Sequence, residues 1–174
     1  MGVTAMDELS KEELAKRIKL LSELAIAVDG LWFLAAEEAE GYDKALEMDV
    51  KVWKRYASLS VKRIRKYFDV RSTGLEAIKE FIAYDPFWFT IGFETVEDGP
   101  HRLVFQVRDC PSLEAMERMG RERLTCEAVE LPYMENFAAA VDPRVKVRAL
   151  KLPPRKSPDE IACKWLFYLD DSVS

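Results

Sequence analysis

The spacing of apolar residues changes at Pro86, and this change constrains the fold of the chain more than any other feature. Before Pro86, apolar residues recur at steps of three and four, which is the period of an amphipathic helix. After it, apolar and polar residues alternate and the composition becomes aromatic and β-branched, which is typical of strands. Because a helix rarely continues through the residue before a proline, we expect a helical part over residues 1–85 and a sheet-rich part over residues 86–174.

Three helices are predicted in the first part. The string Ser10-Lys-Glu-Glu13 is a capping box, so the first helix begins there, and Gly41 is expected to end it. A second helix is predicted from about Asp43 to Phe68, and a second capping signature at Thr73 begins a third helix that ends at Tyr84. The apolar stripe of the first helix, which packing on a sheet would bury, comprises Leu14, Ile18, Leu21, Ala25, Val28 and Trp32.

Two hairpins with helices between them are predicted in the second part. The turn at Gly99 joins the first pair of strands, and a proline-rich turn over residues 153–158 joins the second pair. The predicted strands are Phe87–Val96, Arg102–Arg108, Arg144–Leu152 and Glu160–Leu169, and the helices between the hairpins are Pro111–Met119 and Pro132–Val141. We therefore predict a single α+β domain over residues 1–174, in the compact order ααα-ββ-α-ββ, with N-terminal helices packed on a four-stranded, mainly antiparallel sheet.

Composition narrows the class of protein. With 49% hydrophobic and 33% charged residues, the chain has the composition of a compact domain. Its longest apolar run, Gly30 to Ala36, falls far short of the roughly 20 residues that cross a bilayer, so no membrane partner is expected. An odd number of cysteines predicts free thiols in a reduced cytoplasmic compartment, and a net charge of −5 makes nucleic acid an unexpected partner.

The histidine and glycine content excludes several kinds of site. His101 is the only histidine, which rules out HExxH and other multi-histidine metal centres. The chain has no GxGxxG, Walker or GxSxG motif, so the common nucleotide-binding folds and hydrolase elbows are excluded as well.

Three cysteines in the sheet-rich part are the first candidates for chemistry. Cys110 precedes Pro111 at a predicted strand end, Cys126 precedes the last helix, and Cys163 faces inward on the last strand by alternation. We assign them as candidate catalytic thiols, with two alternatives: small apolar residues of the core, or ligands for zinc or another thiolate-bound metal. Spacings of 16 and 37 residues lack the CxxC pair of a typical zinc site.

Carboxylates and indoles supply the other candidates. Asp29 and Glu37 flank a helical turn that is apolar all round, so burial is expected to raise the pKa of a carboxyl there. Glu37 is therefore a candidate catalytic acid or base, and Asp29 a candidate ligand-binding residue, although acids at such positions are usually solvated. Aromatic side chains can line an apolar pocket between helices and sheet, and the candidate ligand-binding tryptophans are Trp32, Trp53, Trp88 and Trp165.

The charges are distributed unevenly along the chain. Residues 51–71 hold eight bases and one acid, whereas the first fifty residues hold 12 acids and 5 bases. The cationic stripe of the second helix is therefore expected to complement an acidic neighbour, either in this chain or in a second copy, and the second case predicts a homo-oligomer such as a dimer. A second cationic cluster lies on the last hairpin, and its residues are Arg144, Lys146, Arg148, Lys151, Arg155 and Lys156.

Two sets of residues carry a family resemblance over residues 10 to 170. The first begins with Asp29-Gly-Leu-Trp-Phe-Leu-Ala-Ala-Glu-Glu38 and continues with Gly41 and Val52-Trp53-Lys54-Arg55-Tyr56. The second comprises Cys110-Pro111, Gly120, Cys126, Phe137-Ala138, Asp142-Pro143-Arg144, Pro153-Pro154, Ser157-Pro158 and Cys163-Lys-Trp165. The chain resembles a poorly characterised prokaryotic family whose members are labelled as similar to 2-aminothiazoline-4-carboxylate hydrolase, and distantly resembles vinyl-reductase-type small-molecule-binding domains.

The resemblance implies an α+β ligand-binding domain with cysteines clustered at the sheet. Relatives are expected to hold further cysteines and a histidine where Ala149, Leu152 and Ser157 stand here. We therefore predict a cytoplasmic domain that binds a small molecule in an apolar, cysteine-lined pocket between helices and sheet. The alternatives are a hydrolase of a small C–N or thiazoline-type substrate and a thiolate metal or redox protein.

Overall fold

A computed structural model describes residues 9–169 of the chain, so the outermost residues of the predicted domain, 1–8 and 170–174, lie outside it. Five α-helices, a short 3₁₀ helix and four strands follow one another along the described chain. The helices are α1 (Lys11–Glu40), α2 (Tyr42–Phe68), α3 (Gly74–Tyr84), the 3₁₀ helix (Pro86–Thr90), α4 (Pro111–Arg118) and α5 (Cys126–Val141). The strands are β1 (Phe93–Asp98), β2 (Arg102–Val107), β3 (Val145–Lys151) and β4 (Cys163–Leu169).

The four strands form one antiparallel sheet in the order β1-β2-β4-β3. Phe105 on β2 lies opposite Thr95 on β1 and Trp165 on β4, and Ala149 on β3 lies opposite the same Trp165. The predicted α+β class and the antiparallel sheet are therefore confirmed. Between β2 and β3 the chain forms two helices, α4 and α5, which correspond to the predicted helices Pro111–Met119 and Pro132–Val141.

The main core lies between the sheet and a layer formed by α2, α3 and α5. Helix α5 packs on α2 and on β3, while α3 contacts α5 and β4. The side chains that fill this core are large and almost wholly buried, because period-2 and period-3.6 apolar faces meet there. They include Phe81, Tyr133, Phe137, Trp165 and Phe167.

The aromatic run after Pro86 forms a 3₁₀ helix, so the predicted strand over Phe87–Val96 is wrong in its first half. The Asp85 carboxylate accepts a hydrogen bond from the Phe87 amide at 3.0 Å and caps this turn. Trp88 then points into the core, where its indole N–H donates to the Tyr133 hydroxyl at 3.1 Å. Local capping and tertiary burial of one indole therefore outweigh the strand preference of the aromatic run.

The last helix begins six residues earlier than predicted, at Cys126 instead of Pro132. Pro132 lies inside α5, where it removes one helical hydrogen bond. The helix persists through it because burial against α2 and the sheet stabilises both of its halves. At α3 the predicted cap is also incomplete, since Thr73 makes no side-chain bond and the Gly74 amide donates to Asp142 at 2.8 Å.

Helix α1 is placed differently from the predicted packing on the sheet. Its main packing partners are α2 and the 3₁₀ helix, with a smaller contact to α4, and Ser22 is the one fully buried residue in its 30 residues. The Ser22 hydroxyl lies 3.2 Å from the Phe87 carbonyl and 3.2 Å from the Thr90 hydroxyl. Most of the predicted inner stripe of α1, including Leu21, Val28 and Trp32, is therefore exposed, which corrects the expectation that the stripe is buried.

Truncation of side chains should distinguish buried from exposed positions of the helix layer by their contribution to the free energy of unfolding. We expect Phe137→Ala to lower the free energy of unfolding by about 3–5 kcal/mol, because it empties a fully buried site. Tyr67→Ala, at an exposed position of α2, should change it by less than about 0.5 kcal/mol. Urea unfolding followed by circular dichroism measures both, and equal losses would contradict the described core.

Candidate functional site

A cavity of about 80 Å³ lies between the helices and the sheet, and its wall gathers most of the predicted site residues. All three cysteines line it, together with Asp29 from α1. Three of the four predicted tryptophans line it as well, and these are Trp53, Trp88 and Trp165. The structure therefore brings together seven of the nine residues that the sequence suggested.

Three different elements position the thiols. Cys110 lies in the short link between β2 and α4, Cys126 is the first residue of α5, and Cys163 is the first residue of β4. In the sheet Cys163 pairs with Val107, so the end of β2 that leads to Cys110 lies beside the start of β4. The Trp165 indole N–H points at the Cys163 sulfur, with nitrogen and sulfur 3.2 Å apart.

Burial keeps these thiols protonated. It raises the pKa of Cys163 to about 12, and it raises the pKa of both Cys110 and Cys126. A thiolate, which is the nucleophilic and metal-binding form, is therefore disfavoured at neutral pH. Within residues 9–169, no three histidine, cysteine or acidic side chains are placed to hold a metal ion together.

Two carboxylates of the cavity were missed by the sequence reasoning. Asp49 on α2 and Glu130 on α5 line the cavity beside Asp29. The Glu130 Oε2 atom is buried and has no hydrogen-bond partner among the described residues. Its position carried a signal, because Glu130 continues the apolar face that α5 presents through residues 126, 133, 134 and 137.

The three carboxyls of the cavity share a raised pKa, mainly because burial disfavours their charged form. The pKa of Asp29 rises to about 6, and the pKa of Asp49 and that of Glu130 rise to about 7. Their mutual repulsion adds to this, since Asp29 raises the pKa of both Asp49 and Glu130. At neutral pH the cavity therefore holds carboxyl groups that can donate or accept a proton. The predicted rise in the pKa of Asp29 is therefore confirmed.

Two wider grooves run along either side of α1 and meet the cavity. One, of about 550 Å³, lies between α1 and α2, and the other, of about 470 Å³, lies between α1 and α4. Asp29 and Asp49 line both grooves and the cavity. These two acids therefore stand where the cavity opens, and α1 lies over that opening.

Glu37 and Trp32 do not line the cavity. The Glu37 carboxylate forms a two-pronged bond with the Arg121 guanidinium, at 2.6 and 2.8 Å, which holds the pKa of Glu37 below its ordinary value. The expectation of a raised pKa at Glu37 is therefore wrong, because an arginine distant in sequence reaches it. Trp32 is 73% exposed and lines the groove between α1 and α2.

Comparison with known proteins adds one finding. Residues 7–169 match the model of a family of unknown function, DUF6125. The chain belongs to this family. No curated protein and no solved structure matches the chain. The match includes no link to thiazoline hydrolases or vinyl-reductase-type domains, so that resemblance stays an expectation.

Among the helices of the described chain, not one is both long enough and apolar enough to cross a bilayer.

The acids of the cavity should make stability depend on pH in the opposite sense from ordinary carboxylates. Since the pKa of each is raised on folding, from ordinary values of 3.8 or 4.5 to about 6 or 7, the neutral forms stabilise the fold. This contribution is complete below about pH 4 and is lost as the pH rises through 6 and 7. We expect Glu130→Gln to flatten the decline in the free energy of unfolding between about pH 5 and pH 8, measured with urea. An unchanged pH profile would contradict a buried Glu130.

The thiols should react slowly in the native protein. With the pKa of Cys163 near 12 and the others raised, we expect alkylation by iodoacetamide at pH 7.5 to be at least about 100-fold slower than for a free thiol. Intact-mass spectrometry follows the reaction, and the same protein in denaturant, where all three thiols should react rapidly, is the control. Fast labelling of any cysteine in the folded protein would instead indicate a thiolate.

Proposed function

We propose that this protein binds a small organic molecule in the cysteine-lined cavity. We propose also that the binding protein is a homo-oligomer. The observation that carries the proposal is the composition of the cavity wall. Three thiols, three carboxyls with raised pKa and three indoles converge there from α1, α2, α5, the 3₁₀ helix and the sheet. An apolar hollow with a few convergent polar groups is the usual form of a ligand site.

The wall indicates the chemistry of the ligand. Trp53, Phe87 and Trp88 line the cavity with aromatic rings, which suit an aromatic or heterocyclic ligand. Asp49 and Glu130 offer acceptors for N–H groups, and Glu130 Oε2 has no partner within residues 9–169 to satisfy it. The cavity has space for roughly five water-sized groups. We therefore expect a small heterocycle with ring or amino N–H donors.

A hydrolase is the second candidate, and one observation favours it. A carboxyl whose pKa lies near 7, as at Asp49 and Glu130, suits a general base that takes a proton from water as the water oxygen attacks a C–N carbon, and that then gives this proton to the nitrogen as the C–N bond breaks. Such a reaction would open a thiazoline-type ring without a thiolate. The protonated thiols and the ion-paired Glu37 give no support to the catalytic roles first assigned to them.

Ligand binding is tested with the full chain and a defined probe, 2-aminothiazoline. We expect the probe to raise the melting temperature of the wild-type protein and to bind it by calorimetry. Glu130→Gln should lower the affinity about tenfold, because a hydrogen bond to a charged or ionisable group is lost. The matched control is Glu127→Gln, an exposed acid on the same helix, which should bind as the wild type does.

Native mass spectrometry of protein taken directly from cells provides a second readout, since a carried ligand would appear as added mass. Equal probe affinity in Glu130→Gln, or neither probe binding nor added mass, would overturn the binding proposal. Incubation with 2-aminothiazoline-4-carboxylate distinguishes the second candidate. A product formed by the wild type and not by Asp49→Asn or Glu130→Gln would establish hydrolysis.

A further inference from the structure

The outer face of the hairpin formed by α1 and α2 is apolar. On α1, the exposed apolar residues fall within about 160° of arc at 100° per residue. They are Ile18, Leu20, Leu21, Leu24, Val28, Leu31 and Trp32, and α2 adds Met48, Val52 and Leu59. Leu31 is 65% exposed. Monomeric proteins rarely expose a continuous apolar surface of this kind, which usually marks an interface.

The two helices of this hairpin run antiparallel. Gly41 alone separates them, and the groove between them is lined by Ala36 and Ala45 near the connection and by Ala25 and Tyr56 farther away. The connection is therefore one end of the hairpin. The later turns of α2 lie toward the opposite end.

The two ends of the hairpin carry opposite charge. Residues 37–49, at the connection, contain six acids and one base, whereas residues 54–66 contain six bases and no acid. Within the described chain, Lys54, Arg55, Lys62, Arg63 and Lys66 form no ion pair. At the acidic end Glu38 and Glu40 form none either.

The second cationic cluster behaves differently, because half of it is neutralised inside the chain. Arg144, Lys151 and Arg155 pair with acids that lie nearby in the fold. Within the described chain, the cationic end of α2 is therefore the larger of these two unpaired basic surfaces.

We propose that a second copy of this chain docks on the outer face of the hairpin, related by a two-fold axis across the middle of α1 and α2. This symmetry turns the partner's hairpin end for end. It places the acidic end of each copy on the cationic end of the other, with the apolar faces in contact between them. An anionic lipid surface fits less well, because the acidic end would be repelled from it.

The second copy also covers the groove between α1 and α2, and that groove leads to the cavity. Asp29, Asp49, Trp53 and Phe87 line both spaces. The partner therefore forms the outer wall of the ligand site, and this consequence rests on the proposed function. The docking itself does not, since it is measured without any ligand.

Light scattering on the full chain at low ionic strength tests the dimer. We expect a dimer for the wild type and a monomer for Leu24→Glu and for Leu31→Glu, with unchanged far-UV circular dichroism, because both side chains are exposed. The matched control is Val96→Glu, an exposed apolar position on β1, which should remain dimeric. A monomeric wild type, or a dimer that persists in both leucine variants, overturns the proposal.

Charge reversal tests the two-fold arrangement. Arg63→Glu with Lys66→Glu should raise the dissociation constant about tenfold or more, and Glu38→Lys with Glu40→Lys should do the same. The protein with all four changes should recover dimerisation, because both ends are then reversed together. Failure of the combined variant to recover overturns the arrangement, as does a monomer that binds vesicles of anionic lipid.

Intrinsic fluorescence supplies a further readout. Trp32 lies on the docking face, so its emission should shift to shorter wavelength as the protein concentration rises through the dissociation constant. In Trp32→Phe this shift should be absent. A shift of the same size in Trp32→Phe would place the interface elsewhere and would overturn the proposal.

Discussion

The burial of α5 between α2 and the sheet is the constraint on which the rest of the structure depends. One turn of this helix places Tyr133 in the core, where its ring lies edge to face with Trp53 and tilted against Trp88, and its hydroxyl accepts the Trp88 hydrogen bond. These contacts help to hold the 3₁₀ helix against α2, which Phe87 also contacts through Trp53 and Tyr56. One turn earlier, the same helix brings Glu130 to the cavity, and two turns earlier it brings Cys126 there. The core and the candidate site are therefore built by one element.

Burial of the Glu130 carboxyl costs free energy, and the packing of α5 does not require a carboxyl at this position. An apolar residue at that position would continue the helix face without an unsatisfied carboxyl oxygen, and the repulsion from Asp29 and Asp49 would disappear. Helix α1 poses a similar problem, since it exposes apolar side chains while it lies over the opening of the cavity. A ligand with N–H groups and a second copy of the chain would satisfy these two surfaces.

Much of the architecture could be predicted from local pattern. The change of period at Pro86, the capping box at Ser10 and the glycine at position 41 correctly indicated where helices begin and end. Alternation on the last strand predicted that Cys163 faces inward, and it lines the cavity beside Trp165. Clustering of the three cysteines at the sheet was expected from the family resemblance alone, and all three line one cavity.

What the sequence determined by itself was the type of each long element and seven of the residues that line the cavity, because periodicity and capping depend on neighbours within a few positions. Three features could be known only from the tertiary structure. The aromatic run forms a 3₁₀ helix, Glu37 forms an ion pair with Arg121, and the apolar stripe of α1 faces outward. The tertiary structure also brings Asp49 and Glu130 close to Asp29 in the wall of the cavity. These features depend on which distant segment removes water from a given face, and periodicity within a single segment does not contain that information.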